Sequence, residues 1–239
     1  MRNVAKLKMF DLKFYKLMKE RQRSEKHYLA FELYQGKRML DFFKRNNIDI
    51  KNRLLLDIGC GRGGYSLQFR NFGANVVALD LKKPFVANLN FVKGDATELP
   101  FKDNSFDIIF SSSLIEHLPD PEPLIKEIKR TLKERGVCYL SFPPFYSPVG
   151  GHQFKPFHYL PEDIATWLSR KIKKVRSYKY DDQYGGLYRV KISDIKKLII
   201  KNNLKIKKIS TRFSLINFAK IPILNELLTW NVEFILKKT

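Results

Sequence analysis

The residues best suited to chemistry lie in one short stretch, Leu54–Ser66, which reads LLLDIGCGRGGYS. Three leucines and Asp57 predict a buried strand, and glycines follow at positions 59, 61, 63 and 64. Tyr65 and the apolar residues after it predict the start of a helix. A strand, a glycine turn and a helix form a corner suited to a nucleotide, because glycine lets the backbone turn sharply and lets a ligand approach closely.

Two kinds of ligand fit this corner. Gly59, Gly61 and Gly64 match the dinucleotide pattern G-x-G-x-x-G, which is typical of NAD-dependent oxidoreductases. Asp57 argues against a dinucleotide, because a carboxylate beside a pyrophosphate repels it. S-adenosylmethionine has no phosphate and carries an ammonium and a sulfonium, which a nearby carboxylate favours. The spacing alone leaves both ligands open.

Further acidic residues accompany the strands that follow. Asn75–Asp80 is predicted as a second strand, and Asp80 lies 19 residues after Gly61. That interval is close to the ~20 residues expected for an acid that binds ribose hydroxyls. Residues 91–96 are predicted as the third strand, which contains Asp95, and residues 106–110 and 137–142 as the fourth and fifth.

The pattern D-x-G-x-G-x-G, together with GDATELPF and FDIIFSSSLIEHLPDP further along, resembles the class I S-adenosylmethionine-dependent methyltransferases. These sequence segments are similar to those of the small-molecule "type 11" branch of the family, and the resemblance covers residues 54–144. It implies S-adenosyl-L-methionine as cofactor and S-adenosyl-L-homocysteine as product. It also implies that Asp95 contacts the adenine amino group. The implied cofactor-binding residues are Asp57, Gly59, Cys60, Gly61, Gly63, Asp80, Leu81, Asp95, Ala96 and Ser112.

The fold implied by the resemblance is an α/β, Rossmann-like three-layer sandwich. Its seven-stranded sheet is mostly parallel, with an antiparallel last strand between the fifth and the sixth. We expect a single domain over residues 1–239. It comprises a helical N-terminal cover (1–53), a cofactor-binding core (54–144), an inserted substrate lid after strand 5 (145–192) and a C-terminal helix with strands (193–239).

Local patterns predict the remaining elements. Helices are expected at 6–20, 25–46, 120–136 and around 223–230, and strands at 205–210 and 232–236. The second helix should bury an apolar side that includes Tyr28, Phe31, Leu40 and Phe43. A further helix at 193–203 should be capped by Ser193. Only residues 81–90 join strands 2 and 3, so a full crossover helix is not expected there.

The candidate general bases are Glu116, which follows the fourth strand, and three histidines. His117 follows the fourth strand at its carboxyl end, where open α/β sheets place ligands. His152 and His158 lie in the lid, which is predicted to be irregular, with Gly150 and Gly151 giving it freedom to move. Each histidine could equally pack without a catalytic role. No recognised metal-ligand motif is present, so no metal site is predicted.

The net charge of +21 is unevenly distributed. Residues 54–150 are neutral, whereas residues 1–53 have 15 Lys/Arg against 6 Asp/Glu and residues 151–239 have 19 against 7. The basic flanks fit RNA, an anionic lipid surface or simply solvent. Cys60 and Cys138 are expected to be buried thiols. No apolar run is long enough for a transmembrane helix, so a cytoplasmic protein is expected.

Two absent motifs narrow the acceptor. No Asn/Asp-Pro-Pro-aromatic motif follows the fourth strand, and no Pro-Cys nucleophile motif of the cytosine-C5 type occurs. The favoured interpretation is methyl transfer to a small molecule, such as a hydroxyl of a sugar or lipid-linked metabolite. The alternatives are an RNA methyltransferase and a non-catalytic S-adenosylmethionine-binding module.

Overall fold

The structure is a computed structural model that describes residues 12–183, 186–213, 216–222 and 224–238. The predicted helix at 6–20 therefore lies partly outside the described residues. The helices are α1 (Leu12–Glu20), α2 (Glu25–Arg45), α3 (Gly64–Asn71), α4 (Glu122–Thr131), α5 (Glu162–Lys173), α6 (Ile192–Lys201) and α7 (Leu224–Leu228). The strands are β1 (Leu54–Ile58), β2 (Asn75–Asp80), β3 (Asn90–Lys93), β4 (Phe106–Ser112), β5 (Leu132–Phe142), β6 (Leu204–Arg212) and β7 (Asn231–Lys238).

The sheet confirms the predicted fold class. Its seven strands run in the order β3-β2-β1-β4-β5-β7-β6. β7 is antiparallel to both of its neighbours, and the pairs from β3 to β5 are parallel. Residues 81–89 join β2 to β3 without a helix, as the short connection predicted. The carboxyl ends of β1, β2 and β4 therefore meet at one edge of the sheet.

Alternation along β1 decides which layer each side chain enters. Leu56 and Ile58 join the larger apolar core, which includes residues of α4 and α6. Leu55 joins the core on the opposite face, with Met39 of α2 and Phe69 of α3. Because successive strand residues point to opposite faces, Asp57 lies on the α3 side of the sheet.

α2 buries Phe43 as predicted, but the centre of its buried side is formed by residues outside the predicted set. Its buried residues include Gln35, Gly36 and Met39, whereas Tyr28, Phe31 and Leu40 are only partly buried. Gly36 allows the close contact of α2 with α3, since a Cβ there would lie 2.9 Å from the Gln68 side chain.

The predicted helix at 120–136 is too long. α4 ends at Thr131, and Leu132 already pairs with Phe106 as the first residue of β5. The register then shifts to Ile108 opposite Val137, which leaves a bulge that contains Gly136. A Cβ at Gly136 would lie 2.7 Å from Leu132, so this glycine permits the bulge rather than ending a helix.

The lid is more ordered than predicted. It contains α5 and has its own apolar core of Phe145, Phe154, Ala165, Tyr180 and Leu187. Its glycine pair supports packing rather than freedom. A Cβ on Gly150 would lie 1.8 Å from the Pro144 carbonyl oxygen, and one on Gly151 would lie 2.2 Å from the His158 ring.

The cap predicted for the helix at 193–203 is also wrong. α6 begins at Ile192 with Lys191 at its N-cap position, so Ser193 lies inside the first turn rather than at the cap. The carboxylate of Glu226, from α7, accepts instead from the backbone N–H groups of Ile192 and Ser193 at 2.9 and 3.0 Å. Because the first N–H groups of a helix need partners, this distant carboxylate does the work of a local cap.

Candidate functional site

The glycine loop between β1 and α3 has the backbone that its sequence requires. Gly59, Gly61 and Gly63 have φ angles of 74°, 56° and 90°, in the left-handed region that glycine adopts readily. The N–H groups of Gly59 and Cys60 donate to the Leu79 carbonyl, which joins the loop to β2. The loop is therefore fixed by its own backbone.

Glu32 of α2 occupies the N-terminus of α3. Its carboxylate accepts from the N–H of Gly64 at 2.9 Å and from the N–H of Arg62 at 3.2 Å. Burial raises the pKa of Glu32 to about 7, although these two hydrogen bonds oppose the rise. Sequence reasoning missed this residue. A signal existed, since Glu32 shares the buried face of α2 with Gly36, Met39 and Phe43 at helical spacing.

Asp57 is the second buried acid of the corner. Its side chain is 1% exposed and accepts a hydrogen bond of 2.5 Å from the Ser66 hydroxyl. Burial raises the pKa of Asp57 to about 7, and the charges of Glu32 and Asp80 add to the rise. Because the ionised forms of these two acids are already unfavourable, a phosphate bound here would be repelled, whereas a positively charged ligand would be stabilised.

Asp80 ends the second strand as predicted, whereas Asp95 lies just beyond the third strand, which ends at Lys93 rather than at residue 96. Asp80 ends β2, and its carboxylate accepts from the N–H groups of Gly61 and Lys82, both at 3.0 Å. Asp95 follows β3, is exposed, and accepts from the backbone and hydroxyl of Thr97. Those two hydrogen bonds lower the pKa of Asp95, so it is a stable carboxylate.

Two segments close over the glycine loop. A Cβ on Gly63 would lie 2.7 Å from Leu89 and 3.1 Å from Val86, so residues 84–89 lie against the loop. A Cβ on Gly59 would lie 3.1 Å from Leu114, which follows β4. The connection after β4 is therefore in contact with the loop.

The remaining predicted cofactor residues surround the same loop. Leu81 is 62% exposed beside Asp80, whereas Ala96 is buried. Cys60 is a buried free thiol whose pKa burial raises well above its ordinary value, so it is not a nucleophile. Ser112 ends β4 and accepts from the Ser141 hydroxyl at 3.0 Å.

Two of the three predicted histidines come together beyond β4. The rings of His117 and His152 are 5.3 Å apart between centroids, although the two residues are 35 positions apart and α4 and β5 lie between them in the chain. Nδ1 of His117 hydrogen-bonds the Gly186 carbonyl. Burial, together with the charge of His117, lowers the pKa of His152 to about 3, so the His152 imidazole is neutral.

Glu116 completes this group. It is 1% exposed, and no other described residue hydrogen-bonds its carboxylate oxygens. Burial raises its pKa to about 7. Its Oε1 lies 3.9 Å from Nε2 of His152. The sequence placed Glu116 near the site only by its position after β4, and nothing in it indicated the contact with His152.

His158 stands apart from that group. It is 1% exposed, packs against Gly151, and its Nε2 lies 3.0 Å from the Ser147 carbonyl oxygen. Burial lowers its pKa. These contacts lie within the lid.

Arg212 and α5 carry the most distinctive basic features. Arg212 is partly buried, and its Nη2 donates to Gln35 at 2.8 Å and to the Tyr65 hydroxyl at 3.2 Å. α5 instead exposes its basic residues together with Ile164 (48% exposed) and Trp167 (55% exposed). A cavity of about 760 Å³ lies along it, lined by Trp167, Arg170, Lys171, Lys174, Val175, Arg176 and Tyr178. Among the described residues, no helix is long and apolar enough to cross a membrane.

Comparisons with known proteins find relatives of the core segment, residues 54–144. A family described as "Methyltransferase domain" matches residues 56–140. An uncharacterized methyltransferase of Mycobacterium leprae is 30% identical over 151 residues, which are 59% of this chain and 55% of that protein. One of Mycobacterium avium is 32% identical over 152 residues, 59% of each chain. The chain thus spans less than two thirds of the length of these relatives.

Solved structures extend the likeness to the whole fold. An S-adenosylmethionine-dependent methyltransferase of Clostridium acetobutylicum has a TM-score of 0.58 at 16% identity, covering 85% of this chain and 90% of its own. One of Thermotoga maritima has a TM-score of 0.56 at 18% identity, covering 95% of this chain and 97% of its own. At these identities the likeness shows the fold, and together with the matched domain it confirms the resemblance in the sequence.

Proposed function

We propose that this chain, whose residues 56–140 match the methyltransferase-domain family, transfers a methyl group from S-adenosylmethionine to a small-molecule acceptor. One observation carries the choice of donor. The N–H groups of Arg62 and Gly64, at the N-terminus of α3, already bind the Glu32 carboxylate. A dinucleotide would need these groups for its pyrophosphate. A cationic donor instead benefits from the acids at this corner.

The residues present fit that donor. Asp80 ends β2 with acceptor capacity left on both carboxylate oxygens, which suits ribose hydroxyls. Asp95 is an exposed carboxylate that suits an amino group of the base. Asp57 and the glycines from 59 to 63 would face the amino-acid part, with Cys60, Leu81, Ala96 and Ser112 completing the proposed set.

The chemistry asks little of the protein beyond position. The sulfonium supplies an activated methyl carbon, and holding the acceptor in line can be worth an effective molarity on the order of 10⁵ M or more. An acceptor hydroxyl also needs to lose its proton. His117 and His152 lie side by side after β4. The low pKa of His152 makes its imidazole a weak base, so its role would be to accept a hydrogen bond from the acceptor hydroxyl. His158 is the weaker candidate base because the Ser147 carbonyl holds it inside the lid.

Calorimetry with S-adenosylmethionine and with NAD tests the donor. We expect the chain to bind S-adenosylmethionine and Asp80→Asn to weaken that binding by about tenfold or more, since a charge-assisted hydrogen bond is lost. Asp103→Asn is the matched control, because Asp103 is exposed and pairs with Arg130 away from the loop. Binding of NAD without S-adenosylmethionine would refute the proposal.

We further propose a hydroxyl of a sugar or lipid-linked metabolite as acceptor, delivered at an anionic membrane surface. Ile164, Trp167 and Lys171 recur at a spacing that places them on one face of α5, and all three are exposed. Exposed apolar side chains beside several lysines and arginines are typical of a helix that lies in a lipid headgroup region. A nucleic acid would bind the basic residues through its phosphates, but such binding gives no reason for Ile164 to be exposed.

Vesicle sedimentation tests this surface. We expect binding to vesicles that contain phosphatidylserine, weaker binding at high salt, and a loss of binding in Trp167→Ser. Ile200→Ser is the control, because Ile200 is a similarly exposed apolar residue on α6. Binding to RNA but not to the vesicles would favour the RNA methyltransferase instead. Absence of methyl transfer to any extract fraction, with donor binding intact, would favour the non-catalytic module.

A further inference from the structure

Three side chains converge beyond the carboxyl end of β4. Glu116 and His117 come from the turn after the strand, and His152 comes from a single-turn helix in the lid. One potential ligand atom from each lies within 4.8 Å of those of the other two. Two imidazole nitrogens and a carboxylate are a common ligand set for divalent transition metals.

Glu116 provides an independent sign of a missing partner. Its side chain is 1% exposed, and no other residue in the described part of the chain hydrogen-bonds either oxygen. Buried carboxylates are normally paired or bound to a metal, because isolated burial of the charge is costly. The distance of 3.9 Å between Glu116 Oε1 and His152 Nε2 is too long for a hydrogen bond. A cation between them would pair both groups.

The two histidines are held as metal ligands usually are. The Gly186 carbonyl accepts from Nδ1 of His117, which leaves Nε2 with a free lone pair. Such a backbone partner on the second ring nitrogen is the usual support of a ligating histidine. His152 has a φ of 44°, a left-handed conformation that costs energy in a non-glycine residue.

We propose that Glu116, His117 and His152 bind one divalent transition-metal ion, with open positions for oxygen atoms of the acceptor. Ligand atoms around such an ion are about 3 to 3.5 Å apart, given metal–ligand distances of about 2.1 Å. Binding therefore draws the three side chains together by about an ångström. Glu116 and His117 lie in the turn after β4, whereas His152 belongs to the lid, so a bound ion would also link the lid to the core.

The ion would have a defined role in the proposed function. Leu114 lies against Gly59 of the cofactor loop, and Glu116 is only two residues further along the chain. An acceptor hydroxyl bound to the ion would release its proton to solvent more readily, because a cation stabilises the alkoxide, and the two histidines would then act as ligands rather than as the base. This role rests on the proposed methyl transfer, whereas metal binding itself does not.

Cobalt(II) absorption spectroscopy on the tag-free full chain tests the site without donor or acceptor. We expect visible absorption bands that saturate at about one ion per chain and that Zn²⁺ abolishes by competition. Glu116→Gln, which keeps the side-chain shape, and His152→Ala should each weaken Co²⁺ binding by about tenfold or more. His27→Ala is the control, because His27 is exposed at the start of α2. Circular dichroism on each variant establishes that it is folded.

Absence of Co²⁺ and Zn²⁺ binding by the folded wild-type chain would overturn the proposal. Unchanged Co²⁺ affinity in folded Glu116→Gln would do the same. Calorimetry with S-adenosylmethionine on the same protein separates the two proposals. Donor binding without metal binding removes the ion and leaves the proposed function standing, and metal binding without donor binding does the reverse.

Discussion

The Glu32 carboxyl makes the stability of this protein depend on pH in a direction opposite to that of an ordinary ion-paired acid. In Glu32→Gln, the single amide oxygen still accepts from one N–H at the α3 N-terminus, but the amide NH₂ is itself a donor and cannot accept from the other. The lost hydrogen bond costs about 1 to 3 kcal/mol at every pH. The buried negative charge is lost as well, and that effect appears only where the wild-type carboxyl ionises.

The size and sign of the pH effect follow from the pKa. Burial raises the pKa of Glu32 from 4.5 to about 7. A carboxyl whose pKa is raised by folding stabilises the folded state below its unfolded pKa and loses that contribution as the pH rises through its folded pKa. Each tenfold change in proton affinity corresponds to about 1.4 kcal/mol, so the wild type loses about 3 kcal/mol from this group as the pH rises from 4.5 through 7.

Urea unfolding at about pH 5 and about pH 8, without cofactor, measures the effect. We expect the free energy of unfolding of Glu32→Gln, relative to wild type, to increase by about 2 to 3 kcal/mol between these two pH values. The change is reinforced by Asp57, whose pKa the charge of Glu32 helps to raise.

Glu25→Gln is the matched control on the same helix. Glu25 is exposed and pairs with Arg62, and the hydrogen bond from Arg62 lowers its pKa, so it stays ionised throughout this range. The difference in the free energy of unfolding between Glu25→Gln and wild type should therefore not change with pH. A flat or decreasing difference for Glu32→Gln would refute the assignment of a buried, destabilised charge at the α3 N-terminus.

Two further predictions concern packing and capping. Gly150→Ala should reduce the free energy of unfolding by about 3 kcal/mol or more, because its Cβ would overlap the Pro144 carbonyl oxygen. Gly73→Ala should cost only about 1 to 2 kcal/mol, since its φ of 104° is strained but its nearest neighbour is 3.7 Å away; equal losses would contradict the close packing of the lid. Glu226→Ala should cost about 1 to 2 kcal/mol in urea unfolding through loss of the α6 cap, whereas Ser193→Ala should change stability by less than about 0.5 kcal/mol. A larger loss of stability in Ser193→Ala than in Glu226→Ala would show that Ser193, and not Glu226, caps α6.

The cofactor corner was predictable because its signals are local. β2 begins at Asn75 and ends at Asp80 as predicted, since an apolar run bounded by polar residues sets both ends. The glycine spacing specified the turn, and the short link after Asp80 correctly excluded a crossover helix. Each of these inferences needed only neighbours in the chain.

The errors and omissions arose where a distant residue supplies the partner. Glu32 binds N–H groups 30 or more residues away, and Glu226 replaces the local cap at Ser193. The early end of α4 follows from the pairing of Leu132 with Phe106, which no local propensity encodes. Glu116 and His152 meet only because the lid folds back on the β4 turn.

The separate core of the lid bears on how such a protein can change over evolutionary time. The Phe145–Leu187 cluster packs on itself, whereas the cofactor corner depends on the sheet, α2 and α3. Surface residues of the lid can therefore be exchanged without disturbing the strands that hold the glycine loop. The matched family segment ends at residue 140, just before the lid begins. Descendants of this fold could thus acquire new specificities by diversifying one self-supporting module, and a lid transplanted between homologues is the natural unit for engineering them.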